Sequence, residues 1–105
     1  ISLDEFTGDI DKENVQIVDV RGEREYKSEH VAGAENIFVG NLPDNLDKIS
    51  KDKQVIIHCQ AGDRSAIAYS ILARNGFKNV KNFSGGMKEW LATNGRGLHQ
   101  CLKCE

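Results

Sequence analysis

The chain has 105 residues, 39% hydrophobic and 29% charged, with a formal net charge of −2. That length makes one small domain with a single core, and that charge offers neither a basic face for nucleic acid nor an attraction to an acidic membrane surface. No apolar run approaches the roughly 18 residues of a membrane span, and three cysteines are too few, and odd in number, for a disulfide framework, so a reducing, cytoplasmic setting is expected.

The chain begins at Ile1 rather than Met and so reads as a fragment or a processed chain. Ser2-Leu3-Asp4-Glu5 has capping-box spacing and predicts a short helix to about Thr7. Gly8 to Asn14 is a polar turn. Gln16-Ile17-Val18-Asp19-Val20 predicts the first buried strand. Asp19 stands out among apolar neighbours; it reads either as an acceptor for backbone N–H groups near the loop at Cys59 or as a satisfied structural carboxylate at a strand end. Arg21 suits either the rim of an anion site or a pairing with Asp19 or a glutamate, and the structural role is preferred.

Glu23 to Glu29 predicts a short, highly charged helix with a solvated face. His30 follows, and is read as a structural histidine bonding the Gly33 turn. Asn36 to Val39 is a short strand or extended segment, and Gly40-Asn41 turns the chain. Pro43 suits the first turn of a helix to about Ile49, with Leu42, Leu46 and Ile49 on one face. Ser50 to Lys53 is a charged surface turn.

The next stretch, Val55 to Ser65, organises the rest. Val55, Ile56 and Ile57 are consecutive, β-branched and apolar, as in a strand buried on both faces. Ala66, Ile67, Ala68, Leu72 and Ala73 follow at helical spacing, with Ser65 as N-cap or first-turn residue and an end near Asn75-Gly76. Cys59 therefore sits where a strand hands over to a helix, the position at which open α/β sheets bind ligands. The tight loop Gln60, Ala61, Gly62, Asp63 turns backbone N–H groups inward, with the positive end of a helix behind them. Such a nest holds an anion and favours a thiolate. Arg64 adds a permanent charge with a fork of donors. An ordinary buried cysteine is the competing reading, outweighed by the coincidence of Cys, Gly, Arg and Ser in one turn.

Asn79 to Phe83 predicts the last strand, Ser84-Gly85-Gly86 a glycine turn on the same edge as Cys59, and Met87 to Asn94 the final helix, with Trp90 and Leu91 inward. Alternating strands and helices imply an α/β domain over residues 1–94, a parallel central sheet with helices on both faces. Residues 95–105 lie outside this periodicity and are expected to be a disordered or appended end. His99, Cys101 and Cys104 form half a zinc site or a redox pair by spacing alone, which is weak support for either.

His58-Cys59-Gln60-Ala61-Gly62-Asp63-Arg64-Ser65 resembles the active loop of the rhodanese sulfurtransferases. Val18-Asp19-Val20-Arg21 with Glu25-Tyr26, His30-Val31-Ala32-Gly33-Ala34-Glu35-Asn36-Ile37, Gly76-Phe77, Val80, and Gly85-Gly86-Met87 with Trp90 resemble further blocks of that family, in family order, over roughly residues 15 to 93. The stretch Asn36 to Leu46 is also similar to rhodanese domains fused to persulfide dioxygenases. The resemblance implies the rhodanese fold, Cys59 as a nucleophile that carries a persulfide, substrate contacts from Gln60 to Ser65, and Asp19 and Arg21 behind the loop. It implies small partners, a sulfane-sulfur donor (thiosulfate or a low-molecular-weight persulfide) and a thiol or cyanide acceptor, together with a fused or associated sulfur-metabolism domain. No metal or organic cofactor is called for.

Two other classes compete. His-Cys-x-Ala-Gly followed by Arg-Ser also resembles the signature of cysteine phosphatases and of arsenate reductase-like enzymes. Tyrosine phosphatases, however, place one residue more between Cys and Arg, which widens the cradle for a phosphoryl group. The other alternative is a non-catalytic, regulatory rhodanese-like module, against which the intact Cys59 argues. Asp63 departs from an anion-binding loop by adding a negative charge to it.

Overall fold

The computed structural model describes residues 1–10 and 12–92 and the backbone of 100–102. Four parallel strands form the centre: β1 (Val15–Asp19), β3 (Glu35–Asn36), β4 (Gln54–His58) and β5 (Val80–Phe83), in the order β3-β1-β4-β5. Asp19 pairs in register with both Asn36 and His58, and His58 with Phe83. The strand ends are therefore flush, and the residue after His58 emerges at the carboxyl edge.

Alternation along the strands divides the core into two layers. Val18, Val20, Val55 and Ile57 face helix α3 (Asp63–Arg74) and bury Ala68, Leu72, Leu42 and Ile49. Ile17, Ile56 and Phe83 face the other way, onto Phe6 of α1 (Leu3–Asp9) and Met87 and Trp90 of α4 (Gly86–Ala92). The Phe6 ring stacks on Phe83 at 4.3 Å and meets Trp90 edge-on at 5.3 Å. The expected α/β sheet with helices on both faces is thus present. Ser2 caps α1 as its spacing implies, its Oγ accepting from the Glu5 N–H at 3.2 Å.

The charged helix α2 runs Glu23–Ser28, and the chain passes straight into β2 (Glu29–Val31). Gln100–Leu102 forms β6, antiparallel to β2. It lies within the segment expected to be a loose end; β2 stands outside the main sheet, so its edge is free to pair. The metal or redox reading of His99, Cys101 and Cys104 concerns side chains outside the described residues.

The segment after β3 departs from expectation. The strand stops at Asn36, and two 3-10 turns, Val39–Asp44 and Leu46–Lys48, replace the helix expected from Pro43 to Ile49. Val39 and Leu42, and again Leu46 and Ile49, stand three residues apart, and all four pack on the α3-side core. A three-residue turn aligns such pairs on one side. Asn45, at φ −128°, separates the two turns. His30 also differs: its Nδ1 bonds the Tyr26 carbonyl at 2.8 Å and its ring stacks on Tyr26, so it secures α2 rather than the Gly33 turn.

Candidate active site

Helix α3 begins at Asp63, two residues before the expected Ser65, because Gly62 is its N-cap with φ +105°. A side chain on Gly62 would be strained by that φ, and its Cβ would lie 2.8 Å from the Ser84 carbonyl. The loop between β4 and α3 is thereby reduced to Cys59 through Gly62. Cys59 is a free cysteine, 1% exposed.

The loop closes around the sulfur. The Gly62 N–H donates to Cys59 Sγ at 3.0 Å, and Ser65 Oγ lies 3.5 Å from it. Ser65, fully buried in the first turn of α3, also donates to the Gly62 carbonyl at 3.2 Å. While Cys59 is a thiol, its S–H can donate to Ser65 Oγ. Once ionised, sulfur becomes the acceptor and the Ser65 hydroxyl can turn to it. Burial pushes the Cys59 thiol up. The Ser65 hydroxyl and the N–H groups of Ser65, Gly62 and Ala61 together outweigh burial and hold it below the ordinary cysteine value. A thiol held low against its own burial ionises more readily than a cysteine packed among apolar groups alone.

The glycine turn at Ser84–Gly86 is a wall of this loop. The Met87 N–H donates to the Cys59 carbonyl at 2.9 Å and the Lys88 N–H to the Gln60 carbonyl at 3.0 Å. Gly86 adopts φ +59°, and a Cβ there would stand 2.3 Å from the Cys59 carbonyl. Only glycine permits that approach.

The remaining candidates divide into two groups. Gln60 and Ala61 form the outer lip, half-buried and exposed, and Asp63 is exposed in the first turn of α3. There Asp63 favours the helix dipole as well as lending charge to the mouth. Arg64 is committed elsewhere: its two terminal nitrogens donate to the Glu25 carboxylate at 2.6 and 3.0 Å. Asp19 and Arg21, both buried, bond each other. Asp19 accepts from the Arg21 backbone N–H, Nε and terminal nitrogen at 2.7–3.0 Å. Arg21 also donates to the Glu29 carbonyl, and Asn36 donates to the Asp19 and Arg21 carbonyls. This buried cluster binds the ends of β1, β2 and β3 into the platform beneath the loop. His58, next to Cys59 in sequence, points to the opposite face against Phe6, and burial lowers its pKa, keeping the ring neutral. Its Nδ1 lies 3.4 Å from the Cys59 carbonyl oxygen.

Sequence reasoning missed Glu25 as a site neighbour, since a glutamate on a charged helix looks like solvated surface. A local signal existed: Glu25 lies three residues after Gly22 and accepts its N–H at 3.1 Å, as in half of a capping box. That bond orients the carboxylate toward Arg64.

A thiol-holding nest at the carboxyl edge of a parallel sheet defines a class of cysteine-centred, anion-stabilising domains. The comparisons narrow the class: the rhodanese-like domain family matches residues 2–93. The chain belongs to that family. It is 32% identical over 83 residues to the thiosulfate sulfurtransferase GlpE of Coxiella burnetii, covering 79% of this chain and 78% of that protein. It superposes on the human single-domain sulfurtransferase TSTD1 with a TM-score of 0.79 at 25% identity, over 90% of this chain and 96% of that one. It is also 33% identical over 91 residues to YrkF of Bacillus subtilis, 86% of this chain, and spans only 49% of that protein's length. No helix among the described residues is long and apolar enough to cross a membrane.

Proposed function

We propose that this domain transfers sulfane sulfur through a persulfide on Cys59. The observation that carries the reading is the Gly62 N–H aimed at Cys59 Sγ from 3.0 Å, inside a loop that keeps the thiol ionisable despite burial. In the first step the Cys59 thiolate attacks the outer sulfur of thiosulfate or of a low-molecular-weight persulfide. A sulfur–sulfur bond to Cys59 forms as the donor's own sulfur–sulfur bond breaks, and the electron pair leaves on sulfite or on a thiolate. The terminal sulfur of the persulfide takes the place of the thiolate as the anion facing the loop N–H groups. In the second step an acceptor thiolate or cyanide attacks that sulfur and regenerates the Cys59 thiolate.

One feature supports sulfur over phosphoryl chemistry. The loop has only four residues between Cys59 and Arg64, which limits the ring of donors. A reducing, cytoplasmic compartment suits the reading because the cycle begins from a free thiol. The chain spans about half of YrkF, and a fused or associated sulfur-metabolism domain is part of the proposal.

The test compares sulfur release from thiosulfate and from glutathione persulfide, with cyanide or glutathione as acceptor, in the parent and in Cys59→Ser. The parent is expected to turn over at least one donor and Cys59→Ser neither. Comparable turnover by Cys59→Ser would reject the reading, as would aryl phosphate hydrolysis by the parent without sulfur transfer.

A further inference from the structure

Beside the loop runs a groove of about 410 Å³, lined by Ala61, Ser84, Gly85, Lys88, Glu89 and Ala92. Ala61 belongs to the Cys59 loop itself, and the Lys88 N–H is bonded to the Gln60 carbonyl. The position of Lys88 is thus fixed relative to the sulfur-bearing turn. The Lys88 side chain is exposed and, among the described residues, takes part in no ion pair. Arg64, the other cation close to the loop, has its charge matched by Glu25. Ala61, Ser84, Gly85 and Ala92 are small and leave width for an aliphatic stem. Glu89 is engaged as well, its carboxylate folded back against Gly85, where an added Cβ would meet Oε1 at 2.5 Å.

We propose that this groove seats the acceptor thiol, and that Lys88 selects thiols carrying a carboxylate a few bonds from sulfur. The inference rests on the Cys59 persulfide reading and names the substrate class for its second step. An acceptor must bring its thiolate to the outer sulfur from the open side of the loop, and Ala61 is exposed on that side. A thiol lying along the groove with its carboxylate toward Lys88 places its sulfur end at the Ala61 lip. The interaction is a solvent-exposed charge pair. It therefore acts as a modest, salt-sensitive preference rather than as an anchor.

The experiment loads Cys59 with excess donor, confirms one added sulfur by mass, removes the donor, and measures the second-order discharge rate. Three small thiols serve as probes: 3-mercaptopropionate, 2-mercaptoethanol and cysteamine, which are anionic, neutral and cationic away from the sulfur. Each rate is expressed as variant over parent, so the thiol's own acidity cancels. Lys88→Glu is expected to slow 3-mercaptopropionate by roughly threefold to tenfold, as reversing one exposed charge at short range implies, to leave 2-mercaptoethanol near unity, and to speed cysteamine. Lys88→Met should give about half the effect on a logarithmic scale, and added salt should compress all three ratios toward one. Lys53→Glu, an equal charge change on the exposed turn before β4 at the far end of the sheet, should leave the three ratios equal. Equal ratios for Lys88→Glu in a domain that loads sulfur would overturn the groove assignment alone. Failure of Cys59 to load from either donor would overturn the persulfide reading and this inference with it.

Discussion

Arg64 and Glu25 lock α2 to the first turn of α3 through two parallel hydrogen bonds, 2.6 and 3.0 Å long, across 39 positions of sequence. The arginine best placed to recognise an anionic donor is thereby neutralised in the resting domain. Glu25 also accepts the Gly22 N–H, so its carboxylate is held even when a competing anion approaches. On the proposed persulfide mechanism, an anionic donor would have to compete with Glu25 for Arg64.

Glu25→Gln should release that guanidinium. Thiosulfate is doubly charged, and its KM is expected to fall by about threefold at low salt, as for one unmatched charge near the surface. Arg64→Ala should raise the thiosulfate KM instead, and a less charged persulfide donor should respond less to either change. Steady-state kinetics on both donors check this; parallel shifts in the two variants would assign the pair to structure only.

The same pair makes stability pH-dependent. The hydrogen bond from Arg64 holds the Glu25 carboxyl at about 2, below its ordinary 4.5. A depressed carboxylate stabilises the folded state above its unfolded pKa, and that contribution is lost as pH falls through the folded pKa. Both side chains are about one-third exposed, at 31% and 39%, so screening limits the contribution to about 1 kcal/mol or less. Urea denaturation of the parent and Glu25→Gln should differ near neutral pH, and the difference should shrink between pH 4.5 and pH 2.

Much of this architecture was legible from sequence, for identifiable reasons. Val55–Ile57 and Ile17–Val18 are β-branched runs with a face to bury on each side, and α3 shows helical spacing against them. The nest at Cys59 was legible because all its parts are local, within seven residues from Cys59 to Ser65. Glu25 was not, because its partner lies in another element and its own neighbours are charged. The span Pro43 to Ile49 was misread as one helix because an i, i+3 apolar pair such as Leu46 and Ile49 suits a 3-10 turn as well as an α-helix over so short a span. The tight packing of Gly86 under Cys59 is invisible in a Gly-Gly dipeptide, which reads as a turn whatever stands behind it.

Ser65 separates thiol activation from packing. Ser65→Ala removes a hydroxyl that can donate to the thiolate, and leaves the N–H groups of Gly62 and Ser65 in place. The Cys59 pKa should therefore rise. The rate of iodoacetamide alkylation followed against pH should have its midpoint at higher pH than in the parent, with reactivity at neutral pH severalfold lower. An unchanged midpoint would mean that the backbone alone holds the thiolate.

Two glycines with positive φ should respond differently to alanine. At Gly86 (φ +59°) the Cβ meets the Cys59 carbonyl at 2.3 Å, whereas at Gly33 (φ +86°) nothing lies within 4 Å. Gly33→Ala carries backbone strain alone, about 1–2 kcal/mol. Gly86→Ala adds a clash with fixed backbone and should cost about 3 kcal/mol or more in total, with sulfur transfer falling further than stability because the displaced atoms belong to the loop. Urea denaturation and a transfer assay on both variants check the order.

The most direct test of the central claim is intact and peptide mass spectrometry after brief exposure to thiosulfate or glutathione persulfide. One added sulfur is expected on the peptide containing Cys59, removed by cyanide or by a thiol and absent in Cys59→Ser. A double variant with Cys101→Ser and Cys104→Ser should load as the parent does. Sulfur found only on the Cys101 or Cys104 peptide, or transfer proceeding with Cys59 never modified, would contradict the account.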